Sequence, residues 1–228
     1  MLRNAGQQKR VMPKYIVGID EAGRAVSKRR ASSYKYIIGI DEAGRGPLAG
    51  PMVIAAVAVF GSRSGSPTAT WRSDFLKGIR DSKKLTRRGR ERWYRVLKKK
   101  AACQYVSVSA RSIDQNGISW AAREAIARLL KKFSASPNLV LLDGSLYAPP
   151  KYKQKTIIKG DEKIPLIAAA SIIAKVTRDR KMCTLHKKYP HYNFAQHKGY
   201  GTRAHMAAIR RHGLSDIHRR SFCTRIVS

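Results

Sequence analysis

The chain has 228 residues, enough for one domain of roughly 180–200 residues with tails and too few for two full ones. Its 47 Lys+Arg stand against 14 Asp+Glu, a formal net charge of +33, which points to a polyanionic partner, nucleic acid ahead of an anionic membrane surface. The longest apolar run, Met52 to Phe60, falls far short of the ~20 residues that span a bilayer, and Cys103, Cys183 and Cys223 form no CxxC pair, so a membrane span, a disulfide framework and a structural zinc are set aside.

In chain order, residues 1–34 carry eight Lys/Arg and two acids and end in the polar basic stretch SKRRASS, so they read as a basic N-terminal extension containing a short strand-like island. From Tyr36 the texture changes: YIIGI and MVIAAVAV are strand-like, with the turn-forming GRGPLAGP between them. A Gly/Ser/Pro loop follows, and then Thr86 is placed to cap a basic helix, RRGRERWYRVLKKK, with Trp93, Val96 and Leu97 facing inward. YVSVSA is a third strand, GISWAAREAIARLLKKF an amphipathic helix, and NLVLLDG and KTIIKGD are two more strands. A long helix covers IPLIAAASIIAKVTRDRKMCTLHKKY, and a last helix runs through AHMAAIRRHG into a basic C-terminal tail. Strands followed by strands mixed with helices imply an α/β domain. The histidines, among them His186, His191 and His197, show no paired-ligand spacing and read as surface or phosphate-contacting residues.

In so basic a chain the placement of the acids is informative. Asp41 and Glu42 follow YIIGI, Asp143 follows NLVLL, and Asp161 follows KTIIKG, each just beyond an aliphatic strand. Side by side, those strand ends would gather carboxylates at one rim of a sheet, where their mutual repulsion calls for divalent cations. An oxygen-only set suits Mg²⁺ or Mn²⁺, and a pair of such ions supports phosphodiester hydrolysis without a Ser or His nucleophile. Lysines and arginines would hold the phosphates. Adjacent strand residues point to opposite faces, so Asp41 and Glu42 share one site only if the chain bends or one offers its carbonyl.

The motif KYIVGIDEAGR at 14–24 recurs as KYIIGIDEAGR at 35–45. The second copy continues into Gly46 and the next strand, whereas the first has Ala25 at that place and runs on into basic sequence. Asp41 and Glu42 are therefore the working pair, and Asp20 and Glu21 belong to a degenerate copy.

From Lys35 to Phe222 the sequence resembles the bacterial type 2 ribonucleases H (ribonuclease HII). The matching blocks are GIDEAGRGPLAGP (39–51), DSKKL (81–85), LLDG (141–144), KGD (159–161), AAASIIAKVTRDR (168–180), HKGYGT (197–202) and HRRSF (218–222). The resemblance implies a ribonuclease H-like α/β fold, a mixed five-stranded sheet flanked by helices with a helical C-terminal part, so that 35–222 form the catalytic domain and 223–228 a tail. It implies Mg²⁺- or Mn²⁺-dependent endonucleolytic cleavage of RNA–DNA hybrids, and cutting 5′ to single ribonucleotides embedded in duplex DNA, with 3′-hydroxyl and 5′-phosphate ends. Asp41, Glu42, Asp143 and Asp161 are the implied catalytic metal ligands; Asp179, between Arg178 and Arg180, is the competing fourth candidate, better read as an ion-pair partner. Gly44, Arg45 and Gly46 match the stretch whose backbone grips the ribose 2′-hydroxyl, Tyr200 the tyrosine that packs on the neighbouring sugar, and Ser82, Lys83 and Lys84 a phosphate-contacting loop. Ser171 and Lys175 lie in a matching helix, with roles left open. A monomeric cytoplasmic enzyme is expected. The rival readings are a type 3 ribonuclease H, which usually carries a larger N-terminal substrate-binding domain, and a noncatalytic basic RNA-binding protein.

Overall fold

The computed structural model describes residues 34–63, 74–79, 82–133 and 136–227. The first copy of the duplicated motif, the basic extension around it and Asp81 of the DSKKL block therefore lie outside the described residues. Five strands, β1 (Tyr34–Ala43), β2 (Met52–Arg63), β3 (Ala102–Val108), β4 (Leu139–Asp143) and β5 (Gln154–Ile157), form one mixed sheet in the order β3-β2-β1-β4-β5. β1 and β2 are antiparallel, as are β2 and β3, whereas β1–β4 and β4–β5 are parallel.

β2 shows why its sequence is an unbroken apolar run. Alternate residues of a strand face opposite sides of the sheet: Met52, Ile54, Ala56 and Ala58 enter one core, and Val53, Ala55, Val57 and Val59 the other. A strand covered on both faces cannot alternate apolar with polar. Helix α3 (Ile118–Leu130) fills the first core with Ala121, Ala122, Ala125, Ile126, Leu129 and Leu130. Helix α4 (Pro165–Lys188) fills the second with a first half buried from Leu166 to Ala174. Helix α1 (Arg87–Lys100) adds Leu97 and Trp93 to that second core. Thr86 caps α1 as expected, its hydroxyl accepting the Gly89 N–H at 3.1 Å.

Three expectations are corrected, and one helix is added. The strand expected over KTIIKGD stops at Ile157: Lys159 takes a left-handed backbone (φ 54°) and Gly160–Lys163 form one helical turn, so Asp161 sits on that turn and not directly at a strand end. A short helix, α2 (Ala110–Asn116), precedes α3 and is capped by Ser109, with Gly117 at φ +77° between the two. The C-terminal end is not an extended tail. Beyond α5 (Arg203–His212), helix α6 (Arg220–Val227) buries Cys223 in a third cluster with Ala49, Met182, Tyr192, Phe194 and Ile209. His197 is no surface residue: it is buried with His205 and His218, its ring stacked on His205 at 4.3 Å between centroids. Burial pushes His205 and His218 down to about 4, so both are neutral packing groups at neutral pH. Among the described residues no helix is long and apolar enough to cross a membrane, and Cys103, Cys183 and Cys223 are unpaired.

Helix α4 approaches the sheet closely at Gly39, where a Cβ would stand 2.5 Å from the Leu166 carbonyl oxygen. Backbone cannot swing aside as a side-chain tip can, so Gly39→Ala must push the helix outward. The expected cost is about 1–3 kcal/mol, read in thermal unfolding as a loss of roughly 2–4 °C per kcal/mol. An unchanged Tm would refute this account of the contact.

Candidate active site

The site grows from the parallel pairing of β1 and β4. Their register runs Ile37↔Leu139 to Ile40↔Leu142, and one residue further along each strand stand Asp41 and Asp143. Asp161 arrives from the turn after β5. Asp143 Oδ1 accepts the N–H of Gly160 at 2.6 Å and that of Asp161 at 3.4 Å, so one carboxylate both lines the site and holds the segment that brings the next. Carboxylate oxygens of Asp41, Asp143 and Asp161 all lie within 4.8 Å of one another, with Asp41 and Asp161 buried.

Glu42 stands beside this group and outside the triad. It continues β1, as adjacent strand residues should, and its N–H donates to Asp41 Oδ1 at 2.7 Å. One oxygen, Oε1, lies 3.8 Å from Arg45; the other, Oε2, is buried without a hydrogen-bond partner among the described residues. Asp179 does not join the cluster, because Lys175 holds it at 2.9 Å one turn back on α4.

Electrostatics set the character of the site. Burial first, then the negative charges of Glu42 and Asp143, push the Asp41 carboxyl well above the usual carboxylate range. Burial raises Glu42 too, with Arg45 pulling it part of the way back, and burial followed by the charge of Asp161 raises Asp143. Converging carboxylates with an orphaned oxygen beside them make a hard, oxygen-only donor set, and a divalent cation of the Mg²⁺ or Mn²⁺ kind fits it.

Basic groups surround the acids. Lys83 Nζ lies 3.1 Å from Asp161 Oδ2, and Lys84 Nζ 3.2 Å from Glu162. Both lysine side chains are mostly exposed, so these pairs are weakly held in water and the ammonium groups can turn to a phosphate. The buried hydroxyl of Ser82 meets that of Ser171 at 2.8 Å, and Ser171 pulls the raised Asp41 carboxyl part of the way back. The Ser82–Ser171 contact ties the lysine-bearing turn to α4. Arg90 braces the same turn, donating to the Ser82 and Leu85 carbonyls.

On the other side, Gly44 opens the turn after β1 with φ +92°, and a Cβ there would stand 2.0 Å from Arg178 Nε. Only glycine fits both the backbone and the space. Gly46 is exposed with nothing within 4 Å of its Cβ position. Arg45 bonds Ser119 at 3.4 Å and shares a groove of about 230 Å³ with Arg123, Ser145 and Tyr147. Tyr200 is 44% exposed, its ring 5.7 Å from the Arg178 guanidinium and 6.0 Å from Lys175.

The site residues that sequence reasoning passed over are Arg178 and Arg219, both fully buried behind the Gly44 turn. Each lies inside a quoted block, VTRDR or HRRSF, but a surplus of arginine elsewhere hid two that avoid water. Arg123 gave no signal at all.

The sequence matches the Ribonuclease HII family over residues 38–225. It is 42% identical over 215 residues to the ribonuclease HII of Clostridium beijerinckii, covering 94% of this chain and 69% of that protein. It is likewise 42% identical over 208 residues to that of Coxiella burnetii, covering 91% and 87%. Among solved structures, the ribonuclease H2 from Pyrococcus horikoshii OT3 superposes with a TM-score of 0.66 at 27% identity, over 84% of this chain and 97% of that one. Its five-stranded mixed sheet, the carboxylates gathered at the ends of β1 and β4, and this extent of sequence identity together place the chain in the ribonuclease HII family.

Proposed function

We propose that this member of the ribonuclease HII family is a monomeric cytoplasmic endonuclease that uses Mg²⁺ or Mn²⁺, as a pair of ions, to hydrolyse RNA in RNA–DNA hybrids. It also cuts on the 5′ side of single ribonucleotides in duplex DNA, leaving 3′-hydroxyl and 5′-phosphate ends. The observation that carries the reading is the meeting of Asp41, Asp143 and Asp161 within 4.8 Å inside a protein of net charge +33. A noncatalytic basic protein has no use for such a nest, and the three unpaired thiols suit a reducing compartment.

In this reading Asp41, Asp143 and Asp161 would hold the cations together with Glu42, whose Oε2 is buried without a hydrogen-bond partner among the described residues. Cations held there would supply a hydroxide nucleophile and charge stabilisation of the leaving oxygen. The chain does the rest. Ser82, Lys83 and Lys84 form the loop that draws in the phosphates flanking the cut, and the Ser82 hydroxyl ties that turn to Ser171 of α4. The backbone of Gly44–Gly46 meets the ribose 2′-hydroxyl, the group that separates RNA from DNA, and Tyr200 packs on the next sugar. Residues 35–222 form the catalytic domain in this proposal, and residues 1–33 contribute nothing to it.

Asp41→Asn should abolish Mg²⁺-dependent cleavage while leaving hybrid affinity in chelator within about twofold, because it removes a cation ligand and no phosphate contact. Its effect on stability has a definite sign. Asp41, Glu42 and Asp143 are raised above their unfolded values, so in chelator the folded state binds their protons more tightly than the unfolded chain, and the contribution of these three groups to stability is fully present below the ordinary carboxylate range and is lost as pH rises through the raised values. Asp41→Asn should therefore raise the Tm of chelated protein near neutral pH by about 1–2 kcal/mol equivalent, a gain that fades below about pH 4. Mn²⁺ should stabilise the parent and not the variant. A Tm lowered by Asp41→Asn at neutral pH would contradict the proposed repulsion.

Deleting residues 1–33, or changing Asp20→Asn, should leave kcat/KM unaltered on both substrates. A folded deletion variant without activity would transfer the catalytic assignment to the first copy of the motif.

Tyr200→Ala is expected to lower kcat/KM at a single embedded ribonucleotide by tenfold or more beyond its effect on a long hybrid, with Mn²⁺ stabilisation intact. The two-substrate ratio cancels any general loss of binding. Equal losses on both substrates would reduce Tyr200 to a packing residue.

A further inference from the structure

The turn from Gly44 to Pro51 contains no regular structure of its own, yet its backbone oxygens converge on two guanidinium groups. Arg219 donates from Nη2 to the Gly44 carbonyl at 2.6 Å, from Nη1 to that of Arg45 at 2.7 Å, and from Nη2 and Nε to that of Gly50 at 3.0 and 3.2 Å. Arg178 donates from Nε to the Pro51 carbonyl at 2.9 Å and from Nη2 to that of Ala49 at 3.2 Å. Both arginines are fully buried. Among the described residues neither lies within ion-pair distance of a carboxylate.

Two like charges buried together and solvated by carbonyl dipoles are an expensive way to close a loop, since apolar residues of the same volume usually serve stability as well or better. Two features of the arrangement bear on geometry. A planar guanidinium with donors in a fixed fork sets the directions of the carbonyls it collects, which a lysine or an apolar side chain cannot do. Arg178 also occupies the space beneath Gly44, where a Cβ would stand 2.0 Å from Nε, and lies against the ring of Tyr200. Each arginine is itself held: Arg178 rides on the rigid α4, and Arg219 donates its own N–H to the Leu48 carbonyl at 2.8 Å just before α6, whose first N–H groups bond Asp114.

We propose that Arg178 and Arg219 are positioning residues that aim the Gly44–Gly46 backbone at the ribose 2′-hydroxyl, and that Arg178 also couples this turn to Tyr200. The proposal rests on the assignment of that turn as the 2′-hydroxyl contact. By orienting Gly44 and Arg45 from behind, the clamp decides how well the enzyme tells a ribonucleotide from a deoxyribonucleotide, while the acids decide only whether the chain is cut. Neither arginine touches substrate.

The test is binding in chelator, where no cleavage occurs, to two duplexes of one sequence, all-DNA or with one ribonucleotide. The parent should prefer the ribonucleotide duplex by about three- to tenfold, the range of one or two hydrogen bonds. Arg219→Lys and Arg178→Lys, which keep the charge and lose the fork, should bring that preference below twofold, with affinity for the all-DNA duplex within twofold of the parent. Leu129→Ala, which opens a cavity in the core on the face of the sheet away from α4, is the control and should keep the preference, because lost stability alone does not move a ratio of affinities. If the parent shows no preference, the assignment of the turn itself fails, and the clamp's role with it. If the parent discriminates and both lysine variants discriminate equally well, the clamp does not position the turn. Should Arg219→Lys not fold, Arg178→Lys decides the matter alone, and failure of both to fold would assign the pair to stability and overturn the proposal.

Discussion

Everything at this site follows from forcing like charges together. Three carboxylates within 4.8 Å, two of them buried, repel one another and resist desolvation, which is why the Asp41 and Asp143 carboxyls are pushed upward. A fold can hold such a group only if the backbone leaves it no alternative. Here two parallel neighbours, β1 and β4, end side by side, and the third acid is carried on a turn whose N–H groups bond the second. The strain of the cluster is carried by the sheet, and the donor set fits a divalent cation, which would relieve it.

The surrounding charge is arranged in two shells of opposite exposure. Lys83 and Lys84 are exposed and lie 3.1 and 3.2 Å from the carboxylates of Asp161 and Glu162. Arg178 and Arg219 are buried and bonded to carbonyls, with no freedom to exchange partners. Basic side chains therefore meet carboxylates on the outside and backbone carbonyls on the inside. Burial lowers the Arg219 pKa to about 10, with Arg178 as the second cause, still far enough above neutrality to leave it charged.

The distribution of small residues has a related logic. Gly39 lets α4 approach β1 at the level of the site, the alanines 168–170 keep that helix close, and Ser171 then reaches both Asp41 and Ser82. A bulkier stripe would separate the helix from the sheet and break the chain of contacts that links the lysine turn to the acids. Helix α4 thus connects all the parts, carrying Ser171 toward the acids, Lys175 and Arg178 toward Tyr200, and Met182 into the C-terminal cluster.

Much of this was legible in the linear sequence. The runs YIIGI, MVIAAVAV and NLVLL announce strands because a sheet covered on both faces demands continuous apolar residues, and Asp41, Glu42 and Asp143 stand out because acids are scarce in the chain. Thr86 before a basic run marked a helix start, since its hydroxyl satisfies a free N–H locally. What depends on contacts distant in sequence was not legible. The turn that carries Asp161 replaces an expected strand because the Asp143 carboxylate, 17 residues away, takes up the Gly160 N–H. The helix at Arg220–Val227 looked like a tail because its start is held by Asp114, over a hundred residues earlier. His197, His205 and His218 became a buried stack, and Arg178 and Arg219 became supports for the Gly44 turn, only when separate segments met. The sequence by itself determined which residues can carry strands, helices and charge, because periodicity and capping are local. Only the tertiary structure decided which charges face solvent and which support the backbone, because burial and hydrogen-bond partners are set by segments that meet only in the fold.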